Sequence, residues 1–221
     1  MINLRWFNDQ WLNDRTMRAL LLLLPAVVLL GQTSPAPNFK ISGSPGAPIT
    51  IEAYTDYECP TCGRLYREFM PQFIPQYVLT GKIRFVHHDL PLVNLHQHAQ
   101  LAARYANAAG ELGYYDLVVN QIFKTQDTWS QYGKNTGDID GIVAQVLPPG
   151  AMQKVRDLVK NDAHLDDSVK KDIDEATNLD HVTGTPTMIV VTNGKRENIG
   201  NVMSLPYSVF KTYIDQKLAG K

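Results

Sequence analysis

Ile49-Thr50-Ile51-Glu52-Ala53-Tyr54-Thr55-Asp56-Tyr57-Glu58-Cys59-Pro60-Thr61-Cys62-Gly63-Arg64-Leu65-Tyr66-Arg67-Glu68-Phe69 runs from strand texture into helix texture with a cysteine pair at the join. Residues 49–54 are apolar and β-branched, which suits a strand. From Gly63 to Phe69 the chain reads as helix. Cys59 and Cys62 are the only two cysteines among 221 residues. A Cys-x-x-Cys at a strand-to-helix junction is the layout of a redox-active dithiol, because the unpaired N–H groups at a helix start lower a thiol's pKa. Such a chain is most simply a thiol–disulfide exchanger.

The flanks extend the pattern. The helix is expected from about 60 to 78, with Pro60 in the first turn, where a missing N–H costs nothing, and a kink at Pro71. Gly81 ends that turn, and Lys82 to His88 alternates as a second strand. Upstream, residues 32–48 form a Pro/Gly/Ser-rich lead-in, with a short edge strand expected at Phe39-Lys40-Ile41. Residues 94–180 change character. An Ala-rich stretch from Ala99 to Ala109, an amphipathic one from Leu112 to Phe123, and others over 138–147, 151–161 and 165–178 predict a helical block. Pro148-Pro149-Gly150 is expected to break it. Met188 to Val191 restores strand texture, Asn193-Gly194 predicts a hairpin turn, Lys195 to Ile199 is the return strand, and Leu205 to Leu218 closes as a helix.

The N-terminus reads as a targeting segment. Arg5, Arg15 and Arg18 precede an apolar run of 12 residues, Ala19 to Leu30, against the roughly 20 needed to span a bilayer. Small and polar residues follow. This is the pattern of a secretory signal, with an uncleaved membrane anchor through residues 19–30 and a buried helix as the alternatives. No cysteine follows Gly31, so no lipoprotein anchor is expected. Charged residues are 19%, hydrophobic residues 44% and the net charge −1, which fits a globular protein without bulk attraction to nucleic acid.

The order β-α-β, helical block, β-β-α around Cys59-Pro60-Thr61-Cys62 resembles the DsbA-like branch of the thioredoxin superfamily. Three stretches carry the likeness: Gly43 to Ile51, Tyr54 to Cys62, and Val182-Thr183-Gly184-Thr185-Pro186-Thr187 followed by a strand and Asn-Gly-Lys. The resemblance implies an α/β thioredoxin fold with an α-helical domain inserted between the βαβ and ββα halves. It divides the chain into a leader and linker (1–36), a thioredoxin domain (37–90 and 182–221) and a helical insertion (91–181). It also implies that Thr185-Pro186 is a cis-proline loop against the dithiol. One departure stands out. Such proteins usually carry a buried glutamate six residues before the first cysteine, and here that position is Ala53; Glu52 should face the other side of the strand.

In the chemistry, Cys59 at the helix start is the exposed nucleophile that forms the mixed disulfide, and Cys62, one turn in and shielded, resolves it. Pro60 and Thr61 tune the redox poise, with the Thr61 hydroxyl offered to the Cys59 sulfur. Two thiolates with two of His87, His88, His96 and His98 would suit zinc, but Pro60 stiffens the pair and no second Cys-x-x-Cys exists. His87 and His88 alternate across a strand and read as surface or packing residues. Glu58 reads as a solvated charge, Tyr54, Tyr57 and Tyr66 as core or a peptide-binding rim, and Asp56 as a cap.

No cofactor beyond the redox-active disulfide and no metal is expected. The implied activity is that of an exported, periplasmic or extracytoplasmic oxidase acting on unfolded or partly folded exported polypeptides. It would be monomeric and recharged by a quinone-linked membrane partner. A reductase or isomerase, and a non-catalytic binding or chaperone module with a static disulfide, are the alternatives.

Overall fold

Strand β2 (Ile49–Thr55) lies at the centre of a five-stranded sheet because nearly every one of its residues is buried on one face or the other. The computed structural model describes residues 38–220; the expectations for the leader lie outside them. The sheet order is β1-β3-β2-β4-β5, with β1 at Ile41–Ser42, β3 at Ile83–Asp89, β4 at Thr187–Thr192 and β5 at Lys195–Gly200. β2 and β3 run parallel, joined by the dithiol helix, while β4 and β5 run antiparallel to their neighbours. In register, Ala53 stands opposite His87 on one side and Met188 on the other. The hairpin turn falls at Asn193 and Gly194, both at positive φ (50° and 77°), as a two-residue turn matched to strand twist requires.

The dithiol helix spans 60–78 as expected, but its prolines are absorbed rather than breaking it. Pro60–Arg64 and Met70–Phe73 are α-helical, while Leu65–Phe69 and Ile74–Val78 widen into π turns. Pro71 follows the first wide turn and Pro75 lies in the second. Such turns let a helix continue past residues that cannot donate an N–H.

Between β3 and β4 the helices Ala99–Glu111, Tyr115–Lys124, Gln126–Trp129, Ile139–Ala144, Pro149–Asn161 and His164–Asn178 form the inserted block. Ala102, Ala103, Ala106 and Ala109 are fully buried, so small side chains let its helices approach closely. Pro149 opens a helix instead of only ending one, since its fixed φ suits the first turn. The edge strand begins later than expected, at Ile41, and Lys40 before it is buried. The closing helix is Tyr207–Leu218.

The sheet is covered on both faces. Ile51, Ala53, Phe69, Phe73, Phe85, Met188, Phe210 and Ile214 join in one apolar cluster beneath the dithiol and C-terminal helices. Tyr54, Leu90, Ala176 and Ile189 form a smaller one on the opposite face. Cys59, Cys62 and Tyr57 belong to the cluster of the inserted helices, among them Ala106, Val119, Phe123 and Trp129. No helix among the described residues is long and apolar enough to cross a membrane.

Candidate active site

Cys59 is the residue immediately before the helix and Pro60 its first member; the Cys59 backbone is extended (φ −64°, ψ 122°). The turn into the helix is built on Asp56. Its Oδ1 accepts from the N–H groups of Glu58 (2.7 Å) and Cys59 (3.2 Å), and its Oδ2 from Leu92 N (2.7 Å) and His96 Nδ1 (2.7 Å). Asp56 therefore caps the turn, as expected, and also ties it to the segment after β3.

Cys59 and Cys62 are free thiols. Cys59 is not exposed as expected but buried, with 8% of its surface accessible because the inserted helices and the cis-proline loop close over it; its Sγ lies 3.5 Å from the Thr185 carbonyl oxygen. Cys62 is fully enclosed, with Asp56 N donating to its sulfur at 3.5 Å. A hydrogen bond from Cys62 brings the Cys59 thiol down from an ordinary 9.0 to about 6; burial opposes this, and the Cys62 and Thr61 N–H groups and Thr185 add to it. The Cys62 thiol moves the other way, well up, first because it is buried and then because Cys59 sits beside it.

The Thr185–Pro186 peptide bond is cis. The Thr185 hydroxyl, buried and otherwise unpartnered, faces the two sulfurs. Thr61 acts on the Cys59 sulfur through its backbone N–H rather than the hydroxyl expected from sequence.

Other expectations change. Glu58 is not a solvated charge: it is fully buried, and its carboxylate accepts from Gln131 N (2.7 Å) and His98 N (2.6 Å). His87 and His88, expected as surface or packing residues, are both buried and pack in the interior. Among the described residues the one grouping with metal-ligand spacing is His88, Asp172 and Glu175, which contains neither cysteine. Lys40 Nζ, 2.6 Å from Asp172, already neutralises part of it. Tyr57 and Tyr66 are core rather than rim. Both stack on Phe123, and Tyr57 also stacks on His87.

Sequence inspection misses Gln126. Its Nε2 donates to the carbonyls of Tyr57 (2.7 Å) and Cys59 (2.9 Å). Gly63 makes room for it: a Cβ there would lie 2.0 Å from Gln126 Oε1.

A family model described as "Thioredoxin" matches residues 37–205. The chain belongs to the thioredoxin family. Within it, the chain has the DsbA-like fold and carries a Cys-x-x-Cys at the start of its first helix. The crystal structure of Wolbachia pipientis alpha-DsbA1 superposes with a TM-score of 0.66 at 23% identity, covering 85% of this chain and 94% of that one. The "Probable disulfide bond formation protein D" of Bacillus anthracis is 22% identical over 80% of this chain and 76% of its own length. The "Na(+)/H(+) antiporter NhaA 3" of Salinispora tropica is 29% identical over 80% of this chain, which spans only 25% of that protein.

The departure expected from sequence holds in the structure: Ala53 is fully buried in the apolar cluster, and Glu52 faces away. Glu52 is clamped by Arg196 (2.6 Å) on the far side, with His88 Nε2 at 3.4 Å.

Proposed function

We propose that the protein is an exported disulfide donor in which Cys59 exchanges with substrate sulfurs and Cys62 is its internal partner. The observation that carries this is the split between the two thiols, one lowered to about 6 and the other raised, at a helix start. A substrate thiolate attacks Cys59, the Cys59–Cys62 bond breaks, and Cys62 leaves. A second substrate thiolate then attacks the mixed disulfide and releases Cys59 as the stabilised anion.

A lowered thiol stabilises the folded reduced form. That gain is complete above the ordinary 9.0 and is lost as pH falls through about 6. At pH 7 it amounts to roughly one pK unit, about 1.4 kcal/mol, or about 30 mV toward giving the disulfide away.

Polypeptide substrates fit the surroundings. A depression of about 410 Å³ reaches Pro60, Gln126 and Tyr132, and another of about 330 Å³ follows the cis-proline loop from Thr183 to Thr187. Leu95 and Tyr132 are exposed beside the Asp56 turn. Such apolar surface favours unfolded chains over folded ones. The Arg-flanked apolar run at residues 19–30 supports export, and the family resemblance supports a quinone-linked membrane partner for reoxidation, a monomer, and no cofactor beyond the disulfide itself. Antiport is not carried over, because the chain aligns with a quarter of the antiporter's length.

The test is oxidation of a reduced, unfolded ribonuclease-type substrate together with the equilibrium potential against glutathione. A donor gives substrate disulfides stoichiometrically and a potential near about −120 mV; a value near about −270 mV assigns a reductase instead. Cys59→Ser abolishes exchange, and Cys62→Ser accumulates mixed disulfides. Silent behaviour of both variants would make the pair a static disulfide.

A further inference from the structure

Asp56 is tied to both cysteines. Its carboxylate accepts from Cys59 N (3.2 Å), and its own N–H donates to the Cys62 sulfur (3.5 Å). The residue has no exposed surface, and a buried charge is costly unless donors surround it. Four N–H groups do so, and the two oxygens divide them. Oδ1 serves the turn itself, taking Glu58 N and Cys59 N. Oδ2 takes no donor from the turn: it accepts from Leu92 N and His96 Nδ1, each at 2.7 Å. The torsion that swings a carboxylate about its Cβ–Cγ bond is soft, so the bonds at Oδ2 fix the direction in which Oδ1 points. Of the four donors, His96 is the only side chain.

His96 is buried, and its backbone N–H donates to Leu92 O at 2.9 Å. Residues 92–96 are therefore one closed turn whose two ends both grip Oδ2. The helix Ala99–Glu111 follows directly. The His96 ring also meets Tyr132 edge-on, with centroids 5.6 Å apart. Tyr132 is exposed and lines the depression that reaches Pro60. Direct contacts thus run from that depression through His96 and Asp56 to the two cysteines.

We propose that His96 is a positioning residue for exchange: by holding Oδ2 it locks the Asp56 carboxylate, and with it the placing of Cys59 and Cys62 at the helix start. His96 touches neither sulfur and passes no proton to one. Without its donor the carboxylate turns and the Cys59 N–H bond weakens. The Cys59 sulfur then drifts from the Cys62, Thr61 and Thr185 groups that favour its anion. The inference rests on the cysteine roles proposed above, not on the direction of exchange.

The experiment compares three proteins, reading the Cys59 thiolate by ultraviolet absorbance against pH and the potential of the pair against glutathione. His96→Phe keeps a flat ring against Tyr132 and removes the donor; His96→Leu replaces it if it does not fold. The Cys59 midpoint is expected to rise by about one pH unit. At pH 8, above both midpoints, that is about tenfold in the exchange equilibrium, a potential about 30 mV more reducing. His96→Asn, whose amide nitrogen can take the place of Nδ1, restores both readings. Arg196→Met, destabilised on the other face of the sheet, moves neither, which separates positioning from general loss of stability. A folded variant without the donor that keeps the wild-type midpoint and potential overturns the inference, as does a shift that His96→Asn leaves in full. An ordinary midpoint in the wild-type protein, with silent Cys59→Ser and Cys62→Ser variants, would instead overturn the cysteine roles themselves.

Discussion

His87 and His88 are adjacent on β3 and face opposite sides of the sheet, and their surroundings could hardly differ more. His87 lies on the sulfur side among hydroxyls and rings, near Tyr57, Tyr66, Thr55 and Tyr115. His88 lies in an ion network. It stacks on Tyr54, sits 2.9 Å from Asp172 Oδ1, and shares Glu52 with Arg196, which also clamps Asp180. Lys40 stitches the two sides through Asp89 and Asp172. One face surrounds its histidine with hydroxyls and rings, although Asp89 and Lys40 pair there too. The other uses charged groups to hold the inserted helices and β5 against the sheet. The contrast assigns exchange to one side and stability to the other, and each variant below probes that division.

The largest expected effect on the His88 side comes from Arg196→Met. It leaves Asp180 without its cation and Glu52 with His88 alone, and should cost about 3–5 kcal/mol in urea unfolding, while the exchange rate stays within about twofold. A large loss of exchange in the folded variant would break the division.

Next is pH. Burial works against the His88 cation, but Asp172 and Glu52 raise it from 6.5 to about 9. Its contribution is complete below pH 6.5 and lost as pH rises through about 9, roughly 3 kcal/mol at full loss. Burial likewise opposes the Glu52 anion, yet His88 and Arg196 hold it at about 2, so its share is complete above 4.5 and is lost only as pH falls through about 2. Unfolding at pH 7 and above 9 should differ accordingly, and His88→Gln should flatten the alkaline decline.

Gly63→Ala places a methyl group against Gln126 and should cost about 1–2 kcal/mol by releasing the Tyr57 and Cys59 carbonyls. Smallest is Lys211→Ala, which removes an exposed i,i+4 pair with Asp215 and should move stability by no more than about 0.5 kcal/mol.

The strand, dithiol, helix order and the hairpin were legible because each has a local signature: β-branched runs, cysteine spacing, Asn-Gly. Glu58 and Gln126 were not. Glu58 is buried by Gln131 and His98, and Gln126 reaches the site from a separate helix, so their roles exist only once the insertion folds back. Alternation placed His87 and His88 on opposite faces correctly. It did not reveal that both would be buried, because the groups that bury them come from residues 40, 66, 115 and 172.

The account stands on the Cys59 anion, and ultraviolet absorbance of the thiolate against pH measures it directly in the reduced protein with both cysteines in place. A midpoint well below the ordinary value, near 6, is the expected result; a midpoint near 9.0 would contradict it.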